Sequence, residues 1–226
     1  SLQDTADYHS RQQNIKGQVT VGYGVSASGD YSKSKINAEH RSVSEQSGLF
    51  AGDDGFDVQV GGHTQLTGGI ITASQSAEEQ GKNRFQSGSI SQIDLHNISK
   101  YDGSSIGFGT SVAVSGKKLG QEQQAGKIQL SDVARQNASG FSSGYGRDSD
   151  HQESTTHSGI GTRNIILTDE AGQLAKTGYG TDKAIQLAYT DIRTEDAQAQ
   201  SGSLKNRFDA DKVQSELDLQ RTVSQE

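Results

Sequence analysis

The chain has 226 residues, only 30% of them hydrophobic, and its 28 acidic and 21 basic side chains give a net charge of −7. Cysteine is absent, which excludes disulfides, thiolate catalysis and cysteine-based zinc sites. No basic stripe or aromatic platform is visible along the sequence, so nucleic-acid binding is not expected, and no run approaches the roughly 20 apolar residues of a transmembrane helix.

The apolar residues are few but clustered, as in Val19-Thr20-Val21, Ile70-Ile71 and Ile165-Ile166-Leu167. A disordered chain lacks such clusters, so the polar excess points to a thin core under a large surface. Proline is absent too. Because proline cannot donate to a β-ladder and is confined to sheet edges, its absence suits a stack in which nearly every strand has two neighbours. The chain begins at Ser1 without a charged-then-apolar signal segment and reads as a piece of a longer polypeptide.

Repeats organise the chain from its start. Val21-Gly22-Tyr23-Gly24-Val25-Ser26-Ala27-Ser28-Gly29 returns as Ile106-Gly107-Phe108-Gly109 and on through Val114-Ser115-Gly116. Residues 31–45 are polar and read as a loop or a weakly paired coil. Gly48-Leu49-Phe50-Ala51 then returns 21 residues later as Gly69-Ile70-Ile71-Thr72. Between the two lies Phe56-Asp57-Val58-Gln59-Val60, alternating apolar and polar with period 2. Glycine pairs Gly61-Gly62 and Gly68-Gly69 follow at the corners. Ser47-Gly48-Leu49 matches Ser158-Gly159-Ile160, and Lys82-Asn83-Arg84-Phe85 matches Lys205-Asn206-Arg207-Phe208. Strand, glycine corner, strand, glycine corner is the pattern of a right-handed parallel β-helix whose coils stack about 4.8 Å apart. A β-sandwich with glycine-rich turns is the blander alternative. Residues 140–157, rich in Ser, Gly and Asp, read as a loop or insertion. Residues 177–200 fit a helix through Ile185, Ala188 and Ile192 or a strand through Ile185, Leu187 and Tyr189. At the end, Asp211 can cap a helix with Gln214 three residues on, and a helix is expected from about Asp211 to Gln225. The organisation expected is a β-helix over 1–208, less regular at 31–45, 140–157 and 177–200, and a helical segment over 209–226 leading to a further domain.

Chemistry is sparse in this reading. The six histidines, His9, His40, His63, His96, His151 and His157, form no compact metal-ligand spacing and read as surface residues. Gly52-Asp53-Asp54-Gly55 lacks the alternate oxygen ligands and distal Glu of a calcium loop and reads as a turn. Gly22-Tyr23-Gly24 and Gly107-Phe108-Gly109 lack the Lys-Ser/Thr of a phosphate loop. Asp169-Glu170 and Glu195-Asp196 are sequence neighbours that a strand would point to opposite faces. No catalytic, cofactor-binding or metal-ligating residue is assigned.

The run from Gly48-Leu49-Phe50-Ala51-Gly52-Asp53-Asp54-Gly55 through Phe56-Asp57-Val58-Gln59-Val60-Gly61-Gly62-His63-Thr64-Gln65-Leu66-Thr67-Gly68-Gly69 resembles the haemagglutinin repeat of filamentous haemagglutinin-like, two-partner-secreted exoproteins. Ser158-Gly159-Ile160-Gly161-Thr162-Arg163-Asn164-Ile165 and the stretch Leu204–Gln220 resemble a segment just upstream of the pretoxin region in CdiA-type contact-dependent growth inhibition effectors. The resemblance covers nearly the whole chain and points to the second haemagglutinin-repeat region, FHA-2. It implies a right-handed parallel β-helix exported by a partner outer-membrane transporter to the surface of a Gram-negative bacterium, or held in the periplasm before delivery. It further implies contact with the target cell's outer membrane or an outer-membrane protein, and delivery of a C-terminal toxin lying outside these residues. The resulting expectation is a non-catalytic delivery segment, not an enzyme, with no cofactor and no nucleic-acid partner, and with end-to-end self-stacking open to it. A structural stalk of an adhesin and a β-helical carbohydrate-active enzyme are the alternatives; the latter needs a cleft lined with several carboxylates.

Overall fold

The computed structural model describes residues 1–21, 25–114 and 138–223. In chain order they form strands β1 (Asp4–Val21), β2 (Val25–Ser42), β3 (Gly48–Phe50), β4 (Asp57–Thr67) and β5 (Ile70–Thr72), helix α1 (Gln75–Glu79), and strands β6 (Arg84–Ile93), β7 (Leu95–Val114), β8 (Ala138–Thr156), β9 (Gly159–Ile160) and β10 (Ile165–Leu167). Helices α2 (Glu170–Thr177), α3 (Thr181–Ala188) and α4 (Ala210–Val223) follow. Two compact units result: Ser1–Ala6, Glu39–Ser99 and His151–Arg207 make the first, and Asp7–Ala38, Lys100–Asp150 and Phe208–Glu226 the second. Gly22-Tyr23-Gly24, Ser115-Gly116 and the last two residues of the expected helix, Ser224 and Gln225, lie outside the described residues.

The first unit holds two short parallel sheets, ordered β3-β5-β9 and β10-β6-β4. Val58 pairs with Phe85 and Phe85 with Ile165, which stacks apolar residues inward. Phe56, Ala73, Phe85, Ile90, Ile160, Ala184 and Ala188 fill the core. Helices close it. Ser74 caps α1 by accepting from the Ala77 N–H, Asp169 caps α2 by accepting from Gly172, and Gly178 ends α2 with φ +78°, the left-handed conformation that glycine adopts without strain. Gln173 on α2 is fully buried and does what a neighbouring strand would do. Its Oε1 accepts from Ile90 N (2.7 Å) and its Nε2 donates to Ile90 O (3.0 Å).

The expected parallel β-helix over 1–208 is not the fold. The largest sheet has four strands of 18 to 20 residues in the order β1-β2-β7-β8. It is antiparallel. Three residues join β1 to β2, far fewer than the dozen or so a parallel crossover needs. Side-chain partners also run in opposite directions: Thr110 meets Gly29 while Val43 meets Asn97, and Asp148 meets Tyr101 while Thr156 meets Asn97. The described residues are therefore β-rich, with one antiparallel sheet, two small parallel sheets and helices. Even where parallel pairing exists, Gly48 lies opposite Ile70 and not Gly69, one residue off the register read from the repeat. A Cβ on Gly48 would overlap the Ile70 carbonyl, so that close approach requires glycine.

Residues 31–45, read as a loop or a weakly paired coil, and 140–157, read as a loop or insertion, supply most of β2 and β8. Their period-2 pattern is hidden because most inward residues are small or polar: Ser34, Ala38, His40 and Ser42 flank the single large apolar Ile36 on β2, and Gly144 and Gly146 face inward on β8. Within 177–200, residues Thr181–Ala188 form a helix and no strand, with Ala184 and Ala188 buried. In the second unit, α4 lies on the sheet with Val213 and Leu217 packed against Ile36, Tyr101 and Phe208. Gly103 and Gly146 admit it: a Cβ there would stand 2.9 Å from Val213 Cγ1 and 2.7 Å from the Leu217 carbonyl oxygen.

Candidate functional site

Three histidines and two carboxylates of the first unit meet near the start of β7 and the end of β8. His96 on β7 and Asp94 just before that strand are both exposed, and His151 and Glu153 on β8, with His157 just after it, lie beside them. Glu153 stands between two imidazoles, its Oε1 2.9 Å from His151 Nε2 and its Oε2 3.8 Å from His96 Nε2. Beside them, Asp94 Oδ2 lies 2.8 Å from His157 Nδ1, and Oδ1 accepts the Ser158 N–H at 2.7 Å. Asp94 and His157 also form part of the wall of a cavity of about 450 Å³ together with Gln92, Tyr179, Leu187 and Tyr189. Imidazole–carboxylate pairs hold and move protons. Among the described residues, no group of three or more His, Cys, Asp or Glu side chains is arranged to hold a metal ion.

The remaining histidines have separate settings. His63 is held between two hydroxyls, Nδ1 2.7 Å from Ser89 Oγ and Nε2 2.9 Å from Ser91 Oγ. Burial and then the nearby Lys176 charge push its pKa below the ordinary imidazole value. His40 is buried, with Nδ1 unpartnered, and so is not the surface residue expected. His9 faces Asn37 Oδ1 at 3.1 Å. Sequence reasoning left the His96–Glu153–His151 row unassembled because its members come from two strands about 55 positions apart, and no local spacing marks them.

The acidic candidates serve structure. Asp53 and Asp54 occupy a turn in which Gly55 N–H donates to Gly52 O, with Gly55 at φ +72°. Asp169 caps α2, and Glu170 accepts from the N–H and hydroxyl of Thr181 at the start of α3, which lowers the Glu170 pKa. Glu195 accepts from Gln75 N–H at the start of α1. Gly107-Phe108-Gly109 lies in the body of strand β7. In the second unit a polar cleft of about 410 Å³ runs along the end of α4, lined among others by Lys16, Asp30, Gln214, Asp218 and Arg221; Arg221 is held by Asp218 at 3.1 Å.

No family model matches the chain, and no solved structure matches it. Curated relatives do. The chain is 33% identical over 218 residues to the 16S rRNA endonuclease CdiA of Enterobacter cloacae, with 95% of this chain and 6% of that protein covered. It is 28% identical over 229 residues to the tRNA nuclease CdiA of Yersinia mollaretii, covering 100% of this chain and 6% of the relative. It is 29% identical over 181 residues to the deoxyribonuclease CdiA of Dickeya dadantii, covering 76% of this chain and 5% of the relative. The chain thus spans about one twentieth of the length of these relatives.

These names correct the expectation of a non-catalytic delivery segment that is not an enzyme, since each of the three states a nuclease activity. They also stand against the exclusion of nucleic acid. None of them speaks of a haemagglutinin repeat, an adhesin stalk or carbohydrate chemistry.

Proposed function

Since the chain belongs to the CdiA-type contact-dependent growth inhibition effectors, we propose that it is a segment of an exported toxin that inhibits neighbouring bacteria by cutting their nucleic acid. The observation that carries this reading is that relatives named 16S rRNA endonuclease, tRNA nuclease and deoxyribonuclease all contain a segment like this one. What RNA and DNA have in common is a phosphodiester backbone. Cutting it requires a base that takes a proton from the attacking oxygen and an acid that protonates the leaving oxygen. In this chain the groups suited to both tasks are the His96–Glu153–His151 row and the neighbouring Asp94–His157 pair. The whole protein would reach the cell surface through a partner outer-membrane transporter and meet the surface of a target cell.

The test is a co-culture of attackers making the whole protein with sensitive targets, followed by extraction of target RNA and DNA. Fragmented rRNA, tRNA or chromosomal DNA in inhibited targets is the expected result. Inhibited targets with intact nucleic acid overturn the proposal. The row is tested in the whole protein by combining His96→Ala, His151→Ala and Glu153→Gln. Loss of a proton-transfer group lowers cleavage by about 10²–10⁴-fold, with the thermal midpoint unchanged because all three side chains are exposed. Undiminished cleavage removes the row from the chemistry.

A further inference from the structure

The face of the sheet opposite α4 in the second unit is unlike an ordinary solvated sheet face. Contacts settle which residues it carries. Ser34 meets Gln214, Ile36 packs with Val213, and Ser105 donates to the Leu217 carbonyl, so these point to α4. Their strand neighbours point the other way. On that open face Tyr31 of β2 stacks on Phe108 of β7 with ring centroids 6.5 Å apart and planes 24° from parallel. Phe108 in turn meets Phe141 of β8 at 6.4 Å. The rings form a ladder across three strands, and Phe108 and Phe141 are 43% and 71% exposed, so their outer surfaces are in water.

The same face is basic, in a chain whose net charge is −7. Arg11 on β1, Lys33 and Lys35 on β2 and Arg147 on β8 are exposed there, against Asp7 and Asp102, and Asp102 already pairs with Arg147 at 3.2 Å. Lys33 and Lys35 follow Tyr31 at two-residue steps along one face of a strand, each about 6.6–6.8 Å, close to one nucleotide of an extended strand. Exposed rings flanked by cations at that pitch match unpaired bases, whose faces stack on aromatic side chains while their phosphates meet Lys and Arg. A duplex hides its base faces and cannot use the ladder.

We propose that this open face binds single-stranded nucleic acid, with bases stacked on Tyr31, Phe108 and Phe141 and phosphates held by Arg11, Lys33, Lys35 and Arg147. The proposal goes beyond cleavage by the whole protein. A chain that binds without cutting satisfies it, and the co-culture assay judges the nuclease reading separately.

The experiment is fluorescence anisotropy of the 226-residue chain with a labelled 15-nucleotide single-stranded RNA and single-stranded DNA, and with the matching duplex, heparin and phosphatidylglycerol vesicles as competitors. Single strands are expected to bind best. Phe108→Ala and Phe141→Ala should each weaken binding roughly tenfold, the loss of one stacked base. Lys33→Glu with Lys35→Glu should weaken it further and flatten a salt dependence whose log–log slope is about −3 for four phosphate contacts. Lys183→Glu on α3 should change nothing. Both ring positions are exposed, and circular dichroism checks that each variant stays folded. Equal affinity for duplex or heparin, no effect of the ring variants, or displacement by vesicles and by no nucleic acid overturns the proposal.

Discussion

At the scale of single residues, buried polar groups decide much of the first unit. Asn97 is fully buried, and its amide is a hub. Its Oδ1 accepts from Val43 N (3.0 Å), and its Nδ2 donates to Thr156 Oγ1 (2.8 Å) and Gly202 O (3.0 Å). Nothing local marks it in the sequence, because an Asn beside Ile98 reads equally well as an outward strand residue. Glu78 is a second case, and a testable one. Burial pushes its pKa up, but hydrogen bonds from Asn83, Thr162 and the Arg163 N–H, with the Arg193 charge behind them, outweigh that and leave it below the ordinary carboxylate value. A carboxyl whose folded pKa is depressed stabilises the fold above its unfolded pKa and loses that contribution as pH falls through the folded value. The thermal midpoint of Glu78→Gln should therefore lie below that of the parent chain near pH 7, and the gap should begin to shrink below about pH 4, the unfolded carboxylate value, and close as pH falls through the lower folded value. A gap that persists undiminished at pH 3 would assign the loss to packing and not to charge.

At the scale of elements, α4 and the two strands beneath it carry the clearest lesson. The helix was legible through Val213 and Leu217, and it spans Ala210–Val223, but its cap is not Asp211: Asp209 Oδ1 accepts from the Asp211 and Lys212 N–H groups, and Asp211 lies inside the first turn. What it packs on was not. A surface of Gly103, Ser105, Gly144 and Gly146 looks like a flexible loop when read along the chain, yet in the sheet the missing side chains are the room the helix occupies. Gly146→Val should lift α4 from the sheet. Leu217→Ala, fully buried at the same contact, should cost roughly 2–4 kcal/mol in urea unfolding. Both variants should expose the helix to limited proteolysis near Phe208, and protection equal to that of the parent chain would show that the glycine surface is not what seats it. The candidate row was illegible for a related reason. Strand pairing, not spacing, brings His96 to Glu153 and Asp94 to His157.

Across the whole molecule, burial is unevenly spread. Among the described residues, the first unit has a core of nine buried apolar residues including Phe85, Ile90 and Ile160, whereas the apolar cluster under α4 buries Ile36, Val213 and Leu217. Backbone opening should follow that difference. Amide hydrogen exchange at Phe85 and Ile90, central in β6 and tied on both sides, is expected to be far slower than at residues 15–21 of the edge strand β1, where Ile15, Val19 and Val21 are 69–76% exposed. Exchange at equal rates would mean that the chain opens as a single cooperative unit.

The sequence by itself determined the β-rich character, the short strands around Gly48–Thr72, the C-terminal helix and the kinship with CdiA-type effectors. Those features rest on local patterns, period-2 alternation and similarity over consecutive residues, although Gly61-Gly62, expected as a corner, lies inside strand β4. Tertiary structure alone decided that the longest strands pair antiparallel, that glycine and serine runs are strands and not loops, and that rings and imidazoles from distant positions meet on shared faces. The physical reason is that a strand's partner and buried face are chosen by the atoms that end up against it. Where those atoms sit on small or polar residues, as on β2 and β8, hydrophobic periodicity carries no signal of the choice.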